Sequence, residues 1–189
     1  AHGVAVEGEL GTVGGAEAGR TGTDEALLYT DPEQAREFVE RTGVDCLAIA
    51  VGTTHGAVKY SADQLADKIK TELIAEIRER VPGVHIVMHG SSSVPAEDVA
   101  MINAHGGALS PSVGIAPQEK IDAIARGLSK INQGTDSHLA FTSRLREFMT
   151  REPAEVEPSV IVGDALAGMR AQVALRMREW GSSGQAPVN

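Results

Sequence analysis

The sequence has a single cysteine, no concentration of basic residues and no apolar run near the ~20 residues of a membrane span. With only Cys46, an internal disulfide is excluded; its place in the apolar run from Val44 to Val51 reads as a packed core thiol. Lys and Arg number 17 against 26 Asp and Glu, a net charge of −9, which argues against nucleic acid or an anionic membrane as partner, since both would repel the chain. The N-terminus also lacks a basic region leading into an apolar core, so no signal peptide is read and a cytoplasmic location is expected. Short repeats, low-complexity tracts and linkers are missing too, and residues 1–189 are expected to form a single domain. What is present is 42% hydrophobic, as in an ordinary globular chain. It enters directly into strand-like sequence at His2, which reads as a start partway through a larger architecture.

Alternation over residues 2–9 predicts a strand delivering Glu9 to a loop. From Gly11 to Thr30 the glycine-rich sequence has neither helical nor strand period and reads as a long loop, solvated or mobile over a site, with Glu17 in its middle. A helix is predicted from Pro32 to Thr42, capped by Asp31 and stopped by Gly43, then a strand from Val44 to Val51 leading into His55. A second helix is predicted over Ala62 to Arg80 with Leu65, Ile69, Leu73 and Ile77 on one face, before a strand that ends on His89. Further helices are expected from Pro95 to His105, Pro117 to Gly127, His138 to Thr150 and Val162 to Trp180, with a short strand over Leu128 to Asn132. Ile121, Ile124 and Leu128 are expected inward, as is one stripe of the last helix made of Leu166, Met169, Val173 and Met177. His105 reads as a helix-end charge partner or a solvated residue. Four strand–helix units without hairpin signals predict a parallel α/β sheet.

The segment Val84-His85-Ile86-Val87-Met88-His89-Gly90-Ser91-Ser92-Ser93 is an apolar strand that stops on a histidine and a small-residue loop. In parallel sheets such strand ends face a crevice, and small residues leave backbone N–H groups free to hold an anion. Taken alone, a histidine here is a structural residue or a ligand. Gly52-Thr53-Thr54-His55-Gly56 repeats the pattern, and Glu9 and Asn132 stand at the other strand ends. Two imidazoles and a carboxylate suit Zn²⁺ or a similar divalent metal.

Three stretches carry a family resemblance: Val6-Glu7-Gly8-Glu9-Leu10-Gly11-Thr12-Val13-Gly14-Gly15-Ala16-Glu17, Gly52-Thr53-Thr54-His55-Gly56-Ala57-Val58-Lys59 and Val87-Met88-His89-Gly90-Ser91-Ser92-Ser93-Val94-Pro95. In order and placement they resemble the glutamate-rich and zinc-histidine motifs of class II, metal-dependent fructose-bisphosphate aldolases, especially the bacterial subgroup that includes the Calvin-cycle type. The resemblance implies a (β/α)₈ TIM barrel, of which this chain covers roughly the last four β/α units, and reversible aldol cleavage in glycolysis, gluconeogenesis or the Calvin cycle. It implies His55 and His89 as Zn²⁺ ligands, Glu9 beside the metal, and Glu17 as the residue exchanging the proton on the dihydroxyacetone phosphate carbon. Gly56, Lys59, Gly90, Ser92 and Thr135 would bind phosphate and Asn132 the substrate oxygens. A monovalent cation near the phosphate, a phosphorylated sugar substrate and a homo-oligomer complete what is implied.

The sequence also departs from the family. Full-length members need about 250 residues or more. The first half of their barrel, with the third zinc histidine and an aspartate acting at the aldehyde oxygen, has no counterpart here. His2 lies at the wrong end of its strand to replace that ligand. Gly134 stands where the family has a substrate-contacting aspartate, Ser159 where it has a phosphate-binding arginine, and Ala16 where many relatives have an acidic residue. Two other readings therefore stand beside fructose 1,6-bisphosphate cleavage. One is a non-catalytic remnant retaining metal or phosphate binding; the other is an aldolase for another phosphorylated ketose such as tagatose 1,6-bisphosphate.

Overall fold

The structure, a computed structural model, describes residues 2–15, 29–55 and 69–187. Four short strands, β1 (Glu7–Leu10), β3 (Cys46–Ile49), β5 (His85–Met88) and β6 (Leu128–Ile131), form one parallel sheet in the order β1-β3-β5-β6. A two-stranded parallel pair, β2 (Gly14–Gly15) with β4 (Thr54–His55), stands beyond their carboxyl ends. The helices are α1 (Pro32–Thr42), α2 (Glu72–Arg80), α3 (Ala96–Ala104), α4 (Pro117–Ala125), α5 (Thr135–Arg151) and α6 (Pro158–Glu179). All-parallel pairing needs crossover connections, and the sequential strand order places each β/α unit beside the next.

The period-two geometry of a strand gives the sheet two different faces. Leu47 and Ile49 pair in register with Ile86 and Met88, and these four pack with Ala35 of α1, Ile74 and Ile77 of α2, and Ala123 of α4 into the main core. Ala48 pairs with Glu9 on one side and Val87 on the other, and Val87 with Lys130, so the opposite face is charged along both outer strands. A second core joins Val94, Ile102 of α3 and Leu139 of α5.

Local signals read from the sequence account for most boundaries. The Asp31 side chain accepts from the backbone N–H of Glu33 and Gln34 at 3.0 and 2.9 Å, and Gly43 ends α1 at φ 66°. Other boundaries differ. The strand expected over 2–9 is paired only from Glu7, because the Val6 backbone is taken up by Asp45, whose carboxylate accepts from the Val6 N–H at 2.8 Å. The loop expected from Gly11 to Thr30 contains β2 and, at its far end, a Tyr29–Val51 bridge. There Thr30 ties two strand ends together, its hydroxyl donating to Leu10 O at 2.6 Å and accepting from the Ala50 N–H at 2.8 Å. Residues 69–71 are not helical, so α2 begins at Glu72 rather than within one helix from Ala62; the Lys70 N–H bonds Val51 O at 3.1 Å instead. At the other end of the chain, α5 starts three residues before His138 and α6 four before Val162.

The two stripes expected inward are met only in part: Leu128 is buried in the main core and Ile124 and Met169 are half-buried, but the other members face solvent. Ile121 is 41% exposed, because α4 buries Lys120 and Ala123. On α6, Leu166, Val173 and Met177 are 52%, 44% and 45% exposed, whereas Ala165, Gln172 and Arg176 are buried. Small size decides one part of this choice: a Cβ at Gly168 would lie 2.9 Å from Ala140 O of α5, so the helices meet closely only along this side. Satisfaction of a buried charge decides the rest, since Arg176 reaches Asp136.

Candidate functional site

Residues two apart on a strand share a face, so β1 presents Glu7 and Glu9 together. One residue past β5, the His89 ring lies between them, Nε2 3.2 Å from Glu7 Oε1 and Nδ1 3.3 Å from Glu9 Oε1. Lys130 of β6 pairs with the other Glu7 oxygen at 2.6 Å. That ammonium, above all, and then the His89 ring hold the Glu7 carboxyl below the usual carboxylate range, against the opposing pull of partial burial. At the end of β4, His55 approaches His89 edge to face, ring centroids 6.1 Å apart at 75°. The register Gly15–His55 brings the segment leading towards Glu17 alongside that histidine.

Glycine permits this convergence. Gly90 has φ 66°, and a Cβ there would sit 2.8 Å from Thr54 O and 2.9 Å from Val13 Cγ1. A larger residue would force apart the three segments that carry Glu9, His55 and His89.

Behind Gly90, the Ser91–Val94 loop is held on every side. The Ser91 hydroxyl donates to Met88 O and His89 O at 3.2 Å each. The Gly114 and Ile115 N–H groups donate to the Ser93 and Ser92 carbonyls at 3.2 and 3.0 Å. Asp136, fully buried in the first turn of α5, accepts from the Ser93 and Val94 N–H groups at 3.1 and 2.9 Å. Arg176 of α6 pairs with Asp136 at 3.2 Å, and the Lys120 ammonium donates to the Ser93 hydroxyl. Burial pushes the Lys120 pKa down to about 8, although Asp136 pulls the other way. Val94 itself has φ 54°, a costly conformation for a β-branched residue.

Sequence reasoning missed Glu7, Lys130, Asp136, Arg176 and Lys120 as members of this assembly. Alternation along β1 and β6 could have found the first two. The other three carried one signal, charged residues at helix positions that the structure turns inward. His105, expected at a helix end, is the C-cap of α3, and its carbonyl accepts from Arg146 at 3.2 Å.

Of the residues singled out from sequence, the structure brings Glu9, His55, His89, Gly90 and Ser92 to one end of the sheet. Ser92 is buried, 3% exposed. Asn132 joins them through its backbone, donating to Met88 O at 2.9 Å, and Thr135 is the first residue of α5. Glu17, Gly56 and Lys59 lie outside the described residues. Ser159 is on the first turn of α6, its hydroxyl donating to Glu157 at 3.1 Å.

Among the described residues, no group of three or more His, Cys, Asp or Glu side chains is arranged to hold a metal ion. His55 and His89 nevertheless fit part of a zinc shell. Imidazole nitrogen is a suitable donor, and a ligating histidine characteristically keeps its second ring nitrogen on a carboxylate, which either Glu7 at Nε2 or Glu9 at Nδ1 offers His89, the other nitrogen being the one that would face the metal.

Comparisons with known proteins agree with this architecture. A family model described as fructose-bisphosphate aldolase class-II matches residues 1–185. A fructose-bisphosphate aldolase of Stutzerimonas stutzeri is 40% identical over 98% of this chain and 55% of that protein. A plasmid-borne one of Cupriavidus necator is 41% identical over 98% of the chain and 57% of its own length. The crystal structure of the YdjI aldolase from Escherichia coli K12 superposes with a TM-score of 0.65 at 25% identity, over 98% of this chain and 52% of that one. Fructose-bisphosphate aldolase from Campylobacter jejuni, 21% identical, shares the fold with a TM-score of 0.60 over 95% of this chain and 51% of its own. The chain thus spans about half the length of the relatives it matches.

Proposed function

This chain belongs to the class II fructose-bisphosphate aldolase family, and on that premise we propose that it carries the metal-binding and phosphate-binding half of a site cleaving fructose 1,6-bisphosphate to dihydroxyacetone phosphate and glyceraldehyde 3-phosphate. What supports this reading most is the meeting of Glu9, His55 and His89, each from a different β/α unit, at one end of the parallel sheet. His55 and His89 hold Zn²⁺ or another divalent ion, with Glu9 beside it. When bound, such an ion polarises the substrate carbonyl. One of the carboxylates of Glu7 and Glu9 orients the His89 ring through one nitrogen, leaving the other nitrogen for the ion. Glu17 exchanges the proton next to the carbonyl. Gly56, Lys59, Gly90, Ser92 and Thr135 take the phosphate, with a monovalent cation nearby, and Asn132 the sugar oxygens.

The substitutions Gly134 and Ser159 favour a second reading, in which the ketose is another bisphosphate such as tagatose 1,6-bisphosphate or the chain retains binding without turnover. Both residues replace groups that would contact substrate, and serine supplies no bidentate phosphate donor. Cleavage assays of the purified chain with both sugars decide among these readings. Zinc-dependent turnover of fructose 1,6-bisphosphate, abolished by a chelator, is the expected result; normal folding without turnover would leave the binding-only reading.

The cytoplasm is the proposed location and further copies of the chain the proposed partners. Among the described residues, the edge strands β1 and β6 of the four-stranded sheet pair with no further strand. Light scattering should find an assembly larger than a monomer; a stable monomer would refute this.

A further inference from the structure

We propose that Asp136 and Arg176 are positioning residues that set the Ser91–Val94 loop in its phosphate-binding conformation, an inference resting on the phosphate role proposed for that loop. The loop is strained at Val94, φ 54°, and such a conformation persists only where surrounding groups over-determine it. Asp136 does so from the amide side, its two oxygens each accepting from one of two consecutive N–H groups, Ser93 and Val94. The segment at Gly114 and Ile115 does so from the carbonyl side. No room is left for slack there, since a Cβ at Gly114 would lie 2.1 Å from Ser92 O.

A carboxylate so close behind an anion site would ordinarily oppose phosphate. Arg176, 7% exposed and paired with Asp136 at 3.2 Å, and Lys120, fully buried and bonded to the Ser93 hydroxyl, supply the compensating charge. Arg176 comes from the last helix, so α6 turns Arg176 and Gln172 inward and leaves Leu166, Val173 and Met177 outside, which ties the far end of the chain to the loop beside His89.

The signs of two substitutions separate positioning from simple electrostatics. If Asp136 and Arg176 acted on phosphate only through charge, Asp136→Asn would tighten binding and Arg176→Met would weaken it. Positioning makes both weaken it, by ~10-fold or more. The test is a titration of the full chain with inorganic phosphate, followed by NMR at Gly90–Ser92, together with amide exchange at Ser93 and Val94. Both variants should lose affinity and exchange faster, and Arg176→Lys should recover part of each. Asp98→Asn is the comparison, because Asp98 bonds Ser143 at 2.7 Å between α3 and α5 without touching the loop; it should lower thermal stability yet leave phosphate affinity unchanged. Opposite signs for Asp136→Asn and Arg176→Met, unchanged affinity in both, or an equal loss in Asp98→Asn would overturn the inference. Should Asp136→Asn fail to fold, Arg176→Met and Arg176→Lys carry the test through exchange and affinity together. Failure of the unmodified chain to bind inorganic phosphate would instead refute the phosphate reading of the loop, and unchanged exchange in Arg176→Met would then separately refute positioning.

Discussion

On one face of the sheet Leu47, Ile49, Ile86 and Met88 are at most 1% exposed beneath α1, α2 and α4, whereas on the other Glu7 is 28% and Lys130 50% exposed around His89. The same four strands supply both faces, with neighbouring residues assigned alternately to each. Burial on the first removes apolar area from water and stabilises the fold at ~25 cal/mol per Å². Ion pairs on the second are exposed enough to contribute only ~0–1 kcal/mol each. The charged face is thus a poor stabiliser, and its grouping of two carboxylates, an imidazole and an ammonium makes better sense as chemistry than as scaffolding.

Equilibrium unfolding in urea gives the largest contrast. Ile86→Ala should cost ~2–5 kcal/mol through lost burial and a residual cavity. Lys130→Met, one strand away on the charged face, should change stability by under ~1 kcal/mol. Equal losses would show the charged face to be structural after all.

A third region blurs the contrast, because Lys120 is charged and fully buried with Ser93, Asp136, Arg176, Glu179 and Trp180 around it. Its folded pKa of about 8 lies below the ordinary 10.5, so between those values the unfolded chain binds more protons than the folded one. Stability should therefore rise with pH across that window, by at most ~3 kcal/mol for this group. Lys120→Met should flatten the rise, and an unchanged slope would mean that Lys120 is charged at no cost where it lies.

Zinc affinity isolates the charged face by function. His89→Ala should weaken zinc binding by ~100-fold or more, and Glu9→Gln, which changes what orients the ring, by ~10-fold. Competition with a chromophoric chelator measures both. Equal, small effects would remove His89 from the metal shell.

How far the sequence foretold these regions follows from the kind of signal each leaves. The helix from Pro32 to Thr42 and the four parallel strands were written in caps and apolar runs, and His55, His89 and Glu9 in their place at strand ends. Lys120, Asp136 and Arg176 left no such mark, because a charged residue on a helix reads as solvated until its partner is known, and here Lys120 meets Ser93 across 27 positions and Asp136 meets Arg176 across 40. The inward side of α6 was misread for the same reason: hydrophobicity pointed to Leu166 and Val173, whereas close approach at Gly168 and the charge of Asp136 selected the other side. Periodicity registers apolar burial and is blind to buried polar satisfaction.

The smallest expected effect lies where β6 passes into α5. Gly134 is the N-cap of α5 with no side-chain cap, at φ −111°, a conformation open to other residues. A Cβ there would meet only His138 Cε1, at 3.7 Å, which is ordinary contact. Gly134→Asp should therefore fit without strain and add a few tenths of a kcal/mol, ~0.3–0.5, by accepting from N–H groups of the first turn and facing the positive end of the helix. Thermal unfolding measures that gain. The same variant restores the aspartate implied by the family resemblance, so on the proposed reading it should also raise cleavage of fructose 1,6-bisphosphate relative to tagatose 1,6-bisphosphate. A gain in stability with an unchanged ratio of the two activities would confine residue 134 to helix capping and return sugar discrimination to other positions.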